Sequence, residues 1–108
     1  MILTHPEPDQ LDLATVLHAL GDPVRLGIVA ALAAGSEERS CGSFDVSVTK
    51  STCTHHFRVL REAGLIHQRQ HGTTRLNSLR RDDLEARFPG LLDTVLASAQ
   101  TGGRSPTQ

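Results

Sequence analysis

One stretch limits the folds open to this chain: Val48-Thr49-Lys50-Ser51-Thr52-Cys53-Thr54-His55-His56-Phe57-Arg58-Val59-Leu60-Arg61-Glu62-Ala63-Gly64-Leu65-Ile66 reads as one helix with a start, a stop and two unlike faces. Thr49 suits the N-cap, because its hydroxyl can accept from a first-turn amide that lacks a helical partner. Gly64 suits the position just past the end. Cys53, Phe57 and Leu60, with His56 and Ala63 at the margins, fall at helical spacing on one side, which is the packed side. The other side carries Ser51, Thr54, His55, Arg58 and Arg61, short donors followed by a longer basic reach. Taken alone, such a face is most simply a solvated one.

Charge placement argues for more. The chain of 108 residues has a net charge of −1, but it is divided unevenly. Residues 46–81 hold Lys50, Arg58, Arg61, Arg69, Arg75, Arg80 and Arg81 against Glu62 alone, a net +6, with four of the six histidines. Residues 1–45 carry −5 and residues 82–108 carry −2. A basic middle bracketed by acidic ends marks a surface for phosphate better than net charge does. The only aromatic residues are three Phe, so the core must be built from Leu, Val, Ile and Ala, which fits one small helical domain.

Residues 1–9 lack periodic pattern and are expected as a flexible N-terminal arm, residues 10–100 as the domain, and residues 101–108 as a flexible tail. Asp9 or Asp12 can cap a first helix ending near Leu20, with Leu13, Val16, Leu17 and Leu20 as its apolar stripe. Gly21-Asp22-Pro23 stops that helix and starts the next, Pro23 standing where no amide hydrogen is needed. The second helix runs to about Ala34, with Leu26, Val29, Ala30 and Ala33 on one face and Ile28 and Leu32 beside it. A polar loop over residues 36–40 precedes a short, imperfect helical turn over residues 41–46. With the tight turn after it and the capped helix from Lys50, this is a helix-turn-helix pattern.

After Gly64 the pattern turns extended. Residues 65–69 and 74–79 flank Gln70-His71-Gly72-Thr73, where Gly72 can supply positive φ, and the pair reads as a hairpin, or wing, with Arg69, His71, Thr73 and Arg75 near its tip. Asp82 or Asp83 can start a short helix to Phe88, which Pro89-Gly90 breaks. A last helix follows over residues 91–99, with Leu92, Val95, Leu96 and Ala99 as a second stripe.

Three separated signatures, Ala19-Leu20-Gly21-Asp22-Pro23-Val24-Arg25-Leu26, the stretch from Lys50 to Ile66, and the Gly72 turn, stand in the order of the ArsR/SmtB family of bacterial winged-helix repressors, which residues 11–99 resemble. The resemblance implies a mainly α fold with a small β-hairpin wing, a winged helix-turn-helix ordered α-α-α-α-β-β-α. It also implies a homodimer through the first and last helices, with Leu13, Val16, Leu17, Leu20, Leu92, Val95, Leu96 and Ala99 at the interface. That agrees with two apolar stripes that so small a domain cannot easily hide. By the same likeness Lys50, Ser51, Thr54 and His55 meet base edges of double-stranded DNA, and Thr52 is counted with them as a DNA-binding residue. Arg58 and His56 touch phosphate or pack beneath it, Arg61 extends the basic face, and Arg69, His71, Thr73 and Arg75 form the wing contact. Arg25 matches a family arginine that is structural as often as functional.

A helix of about 14 residues is roughly 21 Å long, enough to lie in a major groove. Two in a dimer would read a near-palindromic operator with half-sites about 34 Å apart. The expected function is therefore a sequence-specific transcriptional regulator, in the repressor sense. A winged-helix module for protein binding is the rival from another class, and the +6 segment argues against it. An enzyme is not expected, since no paired acids, nucleophile–base grouping or glycine-rich phosphate loop occurs.

No cofactor is implied, and the family's metal ligand patterns are missing: Cys41 has no second thiol at chelate spacing, and residues 82–108 contain no His or Cys. Cys41 and Cys53 are packing residues, or a thiol switch sensing oxidation or persulfide; sequence leaves both open. With two cysteines, no signal-peptide pattern and no apolar run near the ~20 residues a bilayer needs, the chain is expected in the cytoplasm with no membrane partner.

Overall fold

The computed structural model describes residues 3–35, 38–40 and 49–102, with side chains described as far as residue 99. Its elements are α1 (Leu13–Leu20), α2 (Pro23–Ala34), β1 (Arg39–Ser40), α3 (Lys50–Ala63), β2 (Ile66–His71), β3 (Thr74–Leu79), α4 (Arg81–Arg87) and α5 (Leu91–Gly102). The helical turn expected over residues 41–46, and Cys41 with it, lies outside the described residues.

Local chemistry sets the helix ends. Of the two candidate caps for α1, Asp12 is the one used: its Oδ2 accepts from the Thr15 amide at 3.0 Å and the Thr15 hydroxyl at 2.9 Å. Asp22 caps α2 by accepting from the amides of Val24 (2.9 Å) and Arg25 (3.1 Å), with Pro23 at the first helical position. The Thr49 hydroxyl accepts from the Thr52 amide at 3.2 Å and starts α3. At the other end Gly64 takes φ 87°, and the Leu65 amide reaches back to the Leu60 carbonyl at 3.0 Å, the Schellman closure. A Cβ on Gly64 would collide with the Leu11 side chain, so this position needs glycine for space as well as for conformation.

The core gathers Val16, Ala19 and Leu20 from α1, Ile28, Val29 and Leu32 from α2, and Phe57, Leu60 and Ala63 from α3, with Leu65, Ile66, Leu84 and Leu92 closing it. Each large side chain buried there contributes roughly 1.5–3 kcal/mol. Two expectations change. The buried face of α2 is Arg25, Ile28, Val29 and Leu32. Leu26, Ala30 and Ala33 are only half-buried, so the helix is turned by about one residue from the face read in its sequence. Among the eight residues assigned to the dimer stripes, Val16, Leu20 and Leu92 are spent on the chain's own core, because α1 and α5 each need an inner face to pack at all.

Among the described residues the sheet has three strands, not the two of the expected hairpin, in the order β1-β3-β2. Arg39 and Ser40, expected in a loop, pair with Asn77 and Leu76. The hairpin runs from Ile66↔Leu79 to His71↔Thr74, leaving Gly72 and Thr73 as a two-residue turn. Gly72 has φ 63° and Thr73 no positive φ, the pattern of a type II′ turn, whose twist matches that of the strands. α4 begins at Arg81, one residue before the expected start, and Arg80 binds Asp83 at 3.0 Å. Of residues 1–9, expected as a flexible arm, His5 lies against the fold: its ring stacks on His67 at 4.4 Å and its Nε2 accepts from the Gln68 amide at 3.0 Å; Leu11, at the start of the domain, is buried. No single helix among the described residues is long and apolar enough to cross a membrane.

Candidate nucleic-acid interface

The helical period of α3 separates its side chains as the sequence indicated. Phe57 and Leu60 point into the core and Cys53 is half-buried against it, while Lys50, Ser51, Thr52, Thr54, His55 and Arg58 are exposed. The side chains of Lys50 and Arg58 have no hydrogen-bond or ion-pair partner among the described residues, so both cations face outward unspent. Thr54 is more constrained. Its hydroxyl donates to the Lys50 carbonyl at 3.0 Å, which leaves the oxygen lone pairs for an outside donor and suits Thr54 to accept, as from the amino groups of cytosine or adenine. Thr52 is tied into the cap, its Oγ1 accepting from the Thr49 hydroxyl at 2.8 Å, and Ser51 Oγ lies 3.4 Å from the same Thr49 oxygen.

Two residues assigned to this face leave it. His56 is 7% exposed and turned inward, with Nδ1 3.2 Å from Arg25 Nη1. Being next to His55, it lies about 100° further round the helix, which carries it to the packed side. Arg61 is half-buried and donates from Nη1 to Gln68 Oε1 at 2.7 Å, bracing the base of the wing.

The wing is built differently. Gln68 and Asn77, both buried, pair through Gln68 Nε2 and Asn77 Oδ1 at 2.7 Å, and Asn77 Nδ2 donates to the Arg39 carbonyl at 3.0 Å. This polar spine joins all three strands; buried polar groups are tolerated when their bonds are made in this way. At the surface, Arg69 is held by Glu38: Nε lies 2.9 Å from each carboxylate oxygen and Nη2 2.7 Å from Oε1. Each partner favours the other's charged form. The arginine bonds hold the Glu38 carboxyl below its usual range, and the carboxylate raises Arg69 further. Arg75 is half-buried, with Nε 3.4 Å from Gln70 Oε1, while His71 and Thr73 are exposed at the turn.

The structure thus brings six of the assigned residues to the exposed side of α3 and four onto the wing, and it places His56 inside and Arg61 half-buried against Gln68. Sequence reasoning passed over Glu38, Gln68, Asn77 and His5. Glu38 was visible only as part of an acidic loop. The three others carry no local signal, since a strand glutamine or asparagine is as often exposed as buried. Among the described residues no three His, Cys, Asp or Glu side chains come together in a group that could hold a metal ion.

Residues 20–69 match the family model described as a helix-turn-helix domain. Over 95 residues, 86% of this chain and 95% of the relative, the sequence is 36% identical to an HTH-type transcriptional regulator of Bacillus subtilis (strain 168), YceK, whose own role is uncharacterised. The fold is similar to the crystal structure of the transcriptional repressor BigR from Xylella fastidiosa, with TM-score 0.63 and 25% identity over 82% of this chain and 84% of that one. It is also similar to a crystal structure of an ArsR family transcriptional regulator, with TM-score 0.59 and 22% identity over 96% of this chain and the whole of the other, a likeness of fold.

Proposed function

The chain belongs to the ArsR-type winged helix-turn-helix transcriptional regulators, which bind DNA, and on that footing we propose that it is a homodimeric repressor reading a near-palindromic operator with α3 in the major groove. The observation that carries this reading is the outer face of α3: the side chains of Lys50 and Arg58, unpaired among the described residues, with Ser51, Thr54 and His55 between them on a doubly capped helix. Lys50 and Arg58 would hold phosphates and fix the helix in register. Ser51, Thr54 and His55 would meet base edges, Thr54 as an acceptor, with Thr52 beside them at the cap. His71, Thr73 and Arg75 would follow the backbone beside the groove, and Arg69 would join them only by exchanging Glu38 for a phosphate. His56 and Arg61 take no direct part.

Two features support the dimer. Leu13 and Leu17 are exposed large hydrophobics, at 46% and 45%, on the outer side of α1. A groove of about 760 Å³ between α2 and α5 is lined by apolar side chains including Leu20, Leu26, Ala30, Val95 and Ala99. A second copy would cover both. Repression supports itself on the likeness to BigR, which carries that description. The thiol-responsive variant of this reading would use Cys41, Cys53 or both, and of the two only Cys53, half-buried on the inner side of α3, is among the described residues.

The test is selection of bound duplexes from random double-stranded DNA, with sedimentation of the protein alone and in complex. Recovery of a two-fold related motif by a dimer, with affinity falling steeply as salt rises, is the expected result. Failure to enrich any duplex would instead favour a winged-helix module that docks on protein.

A further inference from the structure

The corner between α1 and α2 is tied to the inner side of α3 by polar side chains that face away from the reading surface. Arg25 is 9% exposed; its Nε donates to the Ala19 carbonyl at 2.7 Å and its Nη2 to the His18 carbonyl at 3.3 Å, so the guanidinium closes the end of α1, where carbonyls lack helical donors. Its Nη1 lies 3.2 Å from His56 Nδ1. A guanidinium only donates, so Nδ1 accepts and the ring proton sits on Nε2. That nitrogen faces Asp22 Oδ2 at 3.9 Å, the same oxygen that caps α2. Three helices therefore meet at one guanidinium, one imidazole and one carboxylate.

We propose that Arg25 and His56 are positioning residues for DNA reading, setting the rotation of α3 about its own axis. The apolar contacts of Phe57, Leu60 and Cys53 hold the helix against the core but have no directional preference. A hydrogen bond to a ring nitrogen of fixed tautomer has one. Rotating a helix by roughly 20° moves side-chain tips, which lie about 5–6 Å from its axis, by close to 2 Å, enough to lose a base-edge hydrogen bond while phosphate contacts adjust. Ser51, Thr54 and His55 depend on that rotation far more than Lys50 and Arg58, whose long side chains can follow a phosphate. Asp22 also lines the groove between α2 and α5, so the same junction ties the surface proposed for the second copy to the reading helix. The inference rests on the DNA-reading function proposed above.

The experiment measures binding of the full chain to its selected operator and to a scrambled duplex, with thermal midpoints in parallel. His56→Leu is expected to weaken operator binding about tenfold while scrambled-duplex binding stays within about twofold, the signature of lost base reading. His56→Gln, whose carboxamide can accept from the guanidinium, is expected to keep operator binding within about threefold of wild type. The double variant Arg25→Met/His56→Leu removes, with the imidazole, the buried guanidinium whose Nη1 His56→Leu would leave without an acceptor. It should regain much of the thermal midpoint without regaining operator preference, and it decides the matter if His56→Leu alone does not fold. Equal weakening on both duplexes, no rescue by Gln, or operator preference returning with the thermal midpoint would overturn the inference. A wild-type chain that prefers no duplex would overturn the DNA reading itself, and is seen before any variant is made.

Discussion

The outer face of α3 and the wing look alike in sequence and differ in structure. Both present arginines in the segment of net charge +6. On the helix, Lys50 and Arg58 stand without partners among the described residues. On the wing, Arg69 is already held by both oxygens of Glu38. Nearer the core, Arg61 is turned to Gln68 and Arg80 to Asp83. Counting charges therefore overstates what this surface offers to phosphate. A free cation releases counterions from DNA when it binds, whereas a paired one must first give up its carboxylate, and the exchange returns little.

The largest effect should come from the joint between the two regions. Gly64→Ala forces a side chain into left-handed backbone and against Leu11, and should lower unfolding free energy by about 2–4 kcal/mol in denaturant titrations. A loss below about 0.5 kcal/mol would mean that the helix and wing are not rigidly joined. Next is the direct contrast. Arg58→Ala should weaken binding to all duplexes about tenfold at low salt and flatten the salt slope by about one unit, while Arg69→Ala should change affinity less than about twofold. Equal losses at the two positions would break the comparison. A smaller effect of opposite sign tests the pairing from its other side: Glu38→Gln should tighten binding by about threefold and steepen the salt slope, because it frees Arg69. Unchanged affinity in that variant would show Arg69 to be out of reach of DNA altogether.

The smallest effect concerns the arm behind the wing. Burial, and then the positive charges of His67, Arg61 and Arg80, hold His5 below the ordinary histidine value of 6.5, against a raising bond to the Leu3 backbone. Only neutral His5 can accept from the Gln68 amide. The unfolded chain therefore takes up a proton before the docked arm does. The arm's contribution to stability is complete above the ordinary value and is lost as pH falls below it toward the lowered one. The difference in thermal midpoint between wild type and His5→Ala should shrink on going from about pH 8 to about pH 5; a difference that widened on acidification would contradict this account.

Much of the molecule was legible because its determinants act over a few residues. Thr49, Asp12, Asp22-Pro23 and Gly64 announce helix ends through bonds spanning two to five positions. Gly72 announces the turn, and the spacing of Cys53, Phe57 and Leu60 separates the packed face of α3 from the one bearing Lys50, Ser51, Thr54, His55 and Arg58. α2 resisted because it is apolar nearly all round, so its period gave no phase; a polar residue, Arg25, turned out to lie on the buried side. The sequence by itself determined where the helices begin and end, the position of the hairpin, and which side of α3 is wet. Only the tertiary structure decided which charges are free. The side-chain partners of Arg69 and His56 each lie 31 residues away in the chain, and the His5 ring that accepts from the Gln68 amide lies 63 away; no local pattern encodes a bond whose two halves are brought together only when the core closes.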